Sequence, residues 1–196
     1  MKWPIPDNEG KMSDNDVMDR RQARTRKAIR EAFIALLFEH KYEAVTLVQV
    51  AARADVGRST LYEHFRTKAD LLRDSLQPVM AALASVIGSR DVPAQLAWWL
   101  QHMRERQAFA RVLLHHQGRD LLQPMLAEAV QARLDKLEAC HEASVPADLL
   151  ARQIAAAQFA ILSPWVLGQM ALTSAELAGM LHITSRALVR STFTAP

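Results

Sequence analysis

The chain has 196 residues, half of them hydrophobic, which suits one or two small domains with a sizeable core. Ala and Leu dominate and β-branched runs of period two are absent, so the expected fold class is all-α. Net charge is +3 but uneven: residues 20–73 hold 12 Lys/Arg against 6 Asp/Glu, and the rest hold 12 against 15, the asymmetry of a polyanion-binding module joined to something else.

A lone Cys140 forms no internal disulfide and fits a reducing, cytoplasmic setting. The polar N-terminus does not read as a signal peptide, and no apolar run is expected to reach the length of a membrane span.

Residues 1–18, with Pro4, Pro6 and Gly10, lack periodicity and read as a flexible arm. Only Lys2 and Lys11 are basic there, too little charge for an arm that follows a nucleic-acid groove. A helix is expected over 20–40, with Ile29, Phe33, Leu36 and Leu37 on one face. Its opening turns carry Arg20, Arg21, Arg24, Arg26, Lys27 and Arg30. A solvated face is the ordinary reading of such a run. Six cations without an acid repel one another, however, and Arg26 and Lys27 are the best-placed candidates for phosphate. Tyr42, in the loop that follows, is expected to pack rather than to act. Leu47, Val50, Ala51 and Ala54 then recur at helical spacing, opened by Thr46 and Gln49 as a capping box. Asp55-Val56-Gly57 breaks the pattern, and Gly57 is expected to make the turn. A second short helix buries Leu61 and Phe65 and leaves Arg58, Ser59 and Tyr62 outward. Small polar and basic residues at a helix N-terminus suit a major groove, where side chains must reach base edges.

The run Leu61-Tyr62-Glu63-His64-Phe65-Arg66-Thr67-Lys68, followed by Ala69-Asp70-Leu71-Leu72, resembles the TetR family of transcriptional regulators, over roughly residues 20–75. The family's turn usually reads Ala-Gly-Val-Ser; here it is Ala54-Asp55-Val56-Gly57. The glycine is displaced and the Ser cap is replaced by glycine, a weaker N-cap. The resemblance implies a helix-turn-helix DNA-binding domain over 19–68 and an effector-binding, dimerising helical domain over 69–196. Arg58, Ser59 and Thr60 are then expected at base edges, with Arg58 on a guanine. Tyr62, His64, Lys68 and the Thr46 helix N-terminus are expected at phosphates.

Thr67 with Asp70 opens a helix reaching about residue 87, with Pro78 inside it. A bend is expected at that proline, either absorbed by packing or serving as a flexible point. Pro93 begins the next helix, where Leu96, Trp99, Leu100 and Met103 share a face. Phe109, Val112, Leu113 and His116 continue the period, and Gln117-Gly118 is expected to end it. A helix over 122–139 follows, then a connector over 144–146. The next helix runs from Ala147 through Ile154, Gln158, Phe159 and Leu162. Ser163-Pro164 is either a kink or the start of a separate helix. Thr173 with Glu176 caps the last, through Leu177, Met180, Leu181 and Leu188. About nine helices result.

No metal or cofactor is expected. His115 and His116 are adjacent and diverge on a helix, and Cys140-His141 has no partner ligands nearby. A nucleophile elbow and a phosphate-binding glycine loop are absent, so an all-α enzyme is the remote alternative. The C-terminal part is rich in soft side chains: Trp98, Trp99, Met103, Phe109, Met125, Phe159, Trp165 and Met170. Most of these are ordinary core residues, but adjacent Trp98 and Trp99 cannot both face one core. A pocket is expected near Trp99, Met103, Phe109, Leu113 and Phe159, for an apolar or aromatic small molecule that is neutral or weakly charged. His102, His116 or Gln158 would orient it. A homodimer surface is expected over 147–190, with Phe159, Leu162 and Leu181, and with Ala155, Ala156, Ala157 and Ala160 permitting close helix approach. The expected function is a homodimeric repressor released from a palindromic operator by a small hydrophobic effector. An activator or ligand-independent regulator shares every N-terminal feature. A non-specific DNA coat is disfavoured, because the basic residues are confined to one module.

Overall fold

The computed structural model describes residues 14–105, 116–137 and 145–192, with side chains from residue 19 and, after the first gap, from residue 120. Those residues form eight α-helices and one 3-10 turn, without a strand among them. The helices are α1 (Asp14–Glu39), α2 (Leu47–Arg53), α3 (Arg58–His64), α4 (Lys68–Ala84), α5 (Ala94–Glu105), α6 (His116–Leu134), α7 (Ala147–Val166) and α8 (Ser174–Ser191); the turn is Tyr42–Ala44. The expected all-α architecture stands.

α1 packs on α2 and α4, and α2 packs on α3. α4 also packs on α5 and α6, α6 on α7, α7 on α8, and α8 on α5. One apolar core runs the length of the chain, from Ile29 and Phe33 through Leu72 and Leu83 to Phe159 and Leu181. α4 therefore belongs to both ends of the molecule.

Three helices start as their sequences dictate. Thr46 with Gln49, Thr67 with Asp70, and Thr173 with Glu176 all form reciprocal capping boxes. Each box supplies partners to two backbone N–H groups that the helix itself leaves unpaired.

Several boundaries differ from expectation. α1 begins at Asp14, inside the stretch read as an arm. α4 and α7 continue through Pro78 and Pro164 as single helices. A proline removes one helical hydrogen bond; in α4, buried Leu76, Met80 and Leu83 on either side hold the turns together. α7 instead closes beyond its proline: Gln169 N–H donates to Pro164 O at 2.8 Å and Gly168 N–H to Trp165 O at 3.0 Å. Gly168 has φ 76°, the left-handed closure that favours glycine. Gly118 lies in the first turn of α6 rather than ending a helix; first-turn N–H groups have no intrahelical partner to lose.

α7 corrects the reading of apolar runs. Its 20 residues are long and apolar enough to cross a membrane by length and composition, yet half of that stretch is buried within the protein. It packs between α6 and α8 as a core helix.

The cap of α8 has a pH signature. The Thr173 backbone N–H, then its hydroxyl, donates to the Glu176 carboxylate and lowers its pKa. A lowered carboxylate pKa gives stability that is present above the ordinary value and lost as pH falls through the lowered one. Glu176→Gln keeps the box geometry without the proton linkage. Thermal unfolding on acidification should therefore fall less in Glu176→Gln than in the parent; equal slopes would discard this linkage.

Candidate DNA-binding surface

Seven residues make too short a helix to be stable alone, so α2 and α3 stand because they share a core. Val50 and Ala51 of α2 and Leu61 of α3, with Phe65 just beyond, are buried. Between the helices the chain reverses at Asp55, whose φ is 53°. Val56 N–H donates to Ala51 O at 3.1 Å and Asp55 N–H to Ala52 O at 3.3 Å, closing α2. Asp55 thus does what glycine usually does; Asp is among the few residues that tolerate this conformation. Gly57, expected to make the turn, has φ −61° and ψ 147° and is simply the N-cap of α3, without a side-chain hydrogen bond.

On α3, Arg58, Ser59 and Tyr62 are exposed, while Thr60 and His64 are half-buried and Leu61 faces inward. Arg58, Ser59 and Tyr62 are outward as expected from periodicity, and Glu63 is exposed beside them.

The residues expected at phosphates have diverse environments. Lys68 is enclosed. Its ammonium donates to the carbonyls of Tyr42 at 2.7 Å, Val45 at 2.9 Å and Glu43 at 3.2 Å, and lies 4.3 Å from the centre of the Tyr42 ring. An ammonium has three N–H donors, so all are engaged, and Lys68 is corrected from a phosphate contact to the residue that closes the loop before α2. Tyr42 packs there as expected; burial, then the charge of Glu43, raises its pKa. Arg26 pairs with Asp74 of α4 and lies over the Phe65 ring, and Arg30 reaches the other oxygen of Asp74 at 3.4 Å. Arg26 is thus engaged in the joint between α1 and α4. Lys27 sits 3.9 Å from Glu31 on its own helix. The Thr46 hydroxyl is engaged in its capping box. Arg53 donates to Glu39 at 2.6 Å, tying α2 to the end of α1 and lowering the pKa of that carboxyl. Sequence reading missed Asp74: its arginines lie 44 and 48 residues away, beyond any local pattern.

Phe159, Leu162 and Leu181, expected at a dimer surface, are each 1% exposed or less. They are core residues of this chain. The helical period places them on the inner faces of α7 and α8, while Ala160 on α7 and Met180, Ile183 and Ala187 on α8 are exposed, with Ile183 at 68%.

The expected pocket does not assemble as a unit. Phe109 and Leu113 lie outside the described residues, as does the His116 side chain. Phe159 is interior. Trp99 is half-buried and meets Trp98 edge-on at 5.0 Å, while His102 stacks on Trp98 at 5.2 Å. Met103 lines a cleft of about 250 Å³ with Arg104, Trp165, Met170 and Leu172. Gln158 is fully buried, and its amide donates to Ser185 Oγ at 3.0 Å and Leu83 O at 3.3 Å. It joins α7 to α4 and α8 instead of lining that cleft.

A short outward helix behind a short capped one that packs on α1 is the architecture of a helix-turn-helix. The family of bacterial regulatory proteins named tetR matches residues 29–74. The transcriptional repressor KstR of Rhodococcus jostii is 40% identical over 65 residues, 33% of this chain and 31% of that protein. The HTH-type transcriptional regulator YxbF of Bacillus subtilis is 32% identical over 69 residues, 35% of this chain and 18% of that protein. The match thus spans about a third or less of these relatives. A TetR transcriptional regulator from Streptococcus agalactiae 2603V shares the whole fold, with a TM-score of 0.56 and 26% identity over 88% of this chain and 99% of that one. The chain is thus similar to TetR regulators, in sequence over residues 29–74 and in fold over most of its length.

Two consequences are measurable. Lys68→Met removes the ammonium from three carbonyls, of which Tyr42 O keeps the Val45 N–H, and should lower stability in urea by about 1–3 kcal/mol; an unchanged midpoint would return Lys68 to the phosphates. Asp55→Gly should raise stability by about 0.5–1 kcal/mol, by relieving the left-handed backbone.

Proposed function

We propose that the protein is a homodimeric, cytoplasmic repressor that reads a palindromic operator with α3. The observation that carries this reading is the outward row Arg58, Ser59 and Tyr62 on a helix held by a buried Leu61. Arg58, Ser59 and Thr60 approach base edges, with Arg58 on a guanine. Tyr62, His64, Lys27 and the start of α2 at Thr46 contact phosphates. The repressor sense is supported by KstR, a repressor, among the similar proteins.

One short helix reads few bases, so useful specificity needs two copies on a two-fold site. The dimer surface is the exposed apolar face of α7 and α8, with Ala160, Met180, Ile183 and Ala187. The domain division is 19–68 for DNA and 69–196 for assembly and effector.

The effector is a small, mainly apolar molecule seated at the Met103, Trp165 and Met170 cleft. It releases DNA only by binding better to a dimer whose reading helices are wrongly spaced. A coupling of about 1–3 kcal/mol lowers DNA affinity roughly 5–150-fold, and bound DNA weakens the effector equally. α4 is the lever, since it carries Asp74 and Lys68 at one end and packs on α5 and α6 at the other.

The test is a gel shift on the DNA upstream of the chain's own gene. The parent should retard that fragment, and Arg58→Ala should lose about 1–3 kcal/mol at one base position. Ile183→Glu should yield a helical monomer by light scattering that has lost operator binding. A fragment never retarded removes the repressor reading; a dimeric Ile183→Glu removes the assigned surface.

A further inference from the structure

Beyond the end of α4 the chain turns through residues 85–90, and beside that turn lies a cleft of about 260 Å³ with no part in the proposed switch. Val86, Leu137 and Val189 give it apolar walls, and Arg90, Arg186 and Arg190 stand around it. The turn's carbonyls are already held by side-chain donors. Arg133 donates to Ser85 O at 3.3 Å and Ile87 O at 3.2 Å, His182 Nε2 to Ser89 O at 3.2 Å, and Arg186 to Arg90 O at 2.8 Å. Gly88 follows with φ 75°, where an added Cβ would lie 3.0 Å from Leu137 Cδ2, so the turn is closely seated.

Among the described residues, no acidic side chain lines this cleft. Asp91 is exposed, and it meets the turn through its own carbonyl, which accepts from the Ser89 hydroxyl at 2.8 Å. Like charges against an apolar wall build a local field of one sign. The guanidinium fork matches a carboxylate in shape and in donor spacing. We propose that this cleft binds a small amphipathic carboxylate, with its chain on Val86, Leu137 and Val189 and its head group among the arginines.

DNA does not meet these criteria. α4 has 17 residues; at a rise of 1.5 Å per residue it carries the turn about 25 Å from Lys68 and the reading head. The volume also sits at the small end of ligand sites, which excludes a bulky polyanion. The site is separate from the Met103 cleft, and its test needs neither DNA nor the effector.

Calorimetry and thermal unfolding of the full chain would compare decanoate with decanol, decylamine and inorganic phosphate. Decanoate should bind saturably and raise the melting temperature, with the three controls at least about tenfold weaker. Arg90→Gln with Arg190→Gln changes two exposed side chains and should weaken decanoate about tenfold with the helical spectrum unchanged. Val189→Trp, which fills the apolar wall, should abolish binding. Decanol binding as tightly as decanoate, phosphate binding as tightly, or indifference to the arginine substitutions would each overturn the proposal.

Discussion

Asp74 is the point on which the two ends of the molecule meet. Arg26 and Arg30, one turn apart on α1, converge on its two oxygens from the same side. Its side chain is 18% exposed, whereas the Arg26 side chain is 51% exposed, so solvent screens the pairing and its contribution to stability is modest. Its effect is geometric. Two planar guanidiniums on one carboxylate fix the rotation of α1 about α4, and the Arg26 guanidinium over Phe65 extends that restraint to the end of α3.

Six residues before Asp74, Lys68 performs a complementary task. The loop from Tyr42 to Val45 presents three carbonyls to one point, two of them part-buried. One ammonium satisfies them all while resting on the Tyr42 ring. α2 and α3 are each too short to persist alone, so their orientation depends on these two residues of α4 and on the shared apolar core.

At the other end, α4 is held by burial and by Gln158. The amide of Gln158 reaches both Leu83 O and Ser185 Oγ, fastening three helices at one buried point. Its Oε1 has no partner among the described residues. An unmatched acceptor in a core costs free energy, and this one sits where α4, α7 and α8 meet.

Helix content, the three capping boxes and the outward residues of α3 were legible in the sequence because each depends on neighbours within four positions. The TetR resemblance was legible for the same reason, since its motif is one continuous run. The rest of the site depends on distant pairing. No local pattern separates an arginine aimed at solvent from Arg26, whose partner lies 48 residues on. Lys68 matched its motif in type and place, yet which acceptors meet its ammonium was decided by a loop about 25 residues earlier in the chain. On α7 and α8, periodicity gave two faces to each helix; which face is core depends on where α4 and α6 lie, and packing placed Phe159, Leu162 and Leu181 inside and left Met180 and Ile183 outside. Local spacing determined the secondary structure and the outward face of α3. Tertiary contact alone decided which charges are engaged and which apolar face remains for a partner, because burial and ion pairing are properties of surfaces that exist only once distant segments meet.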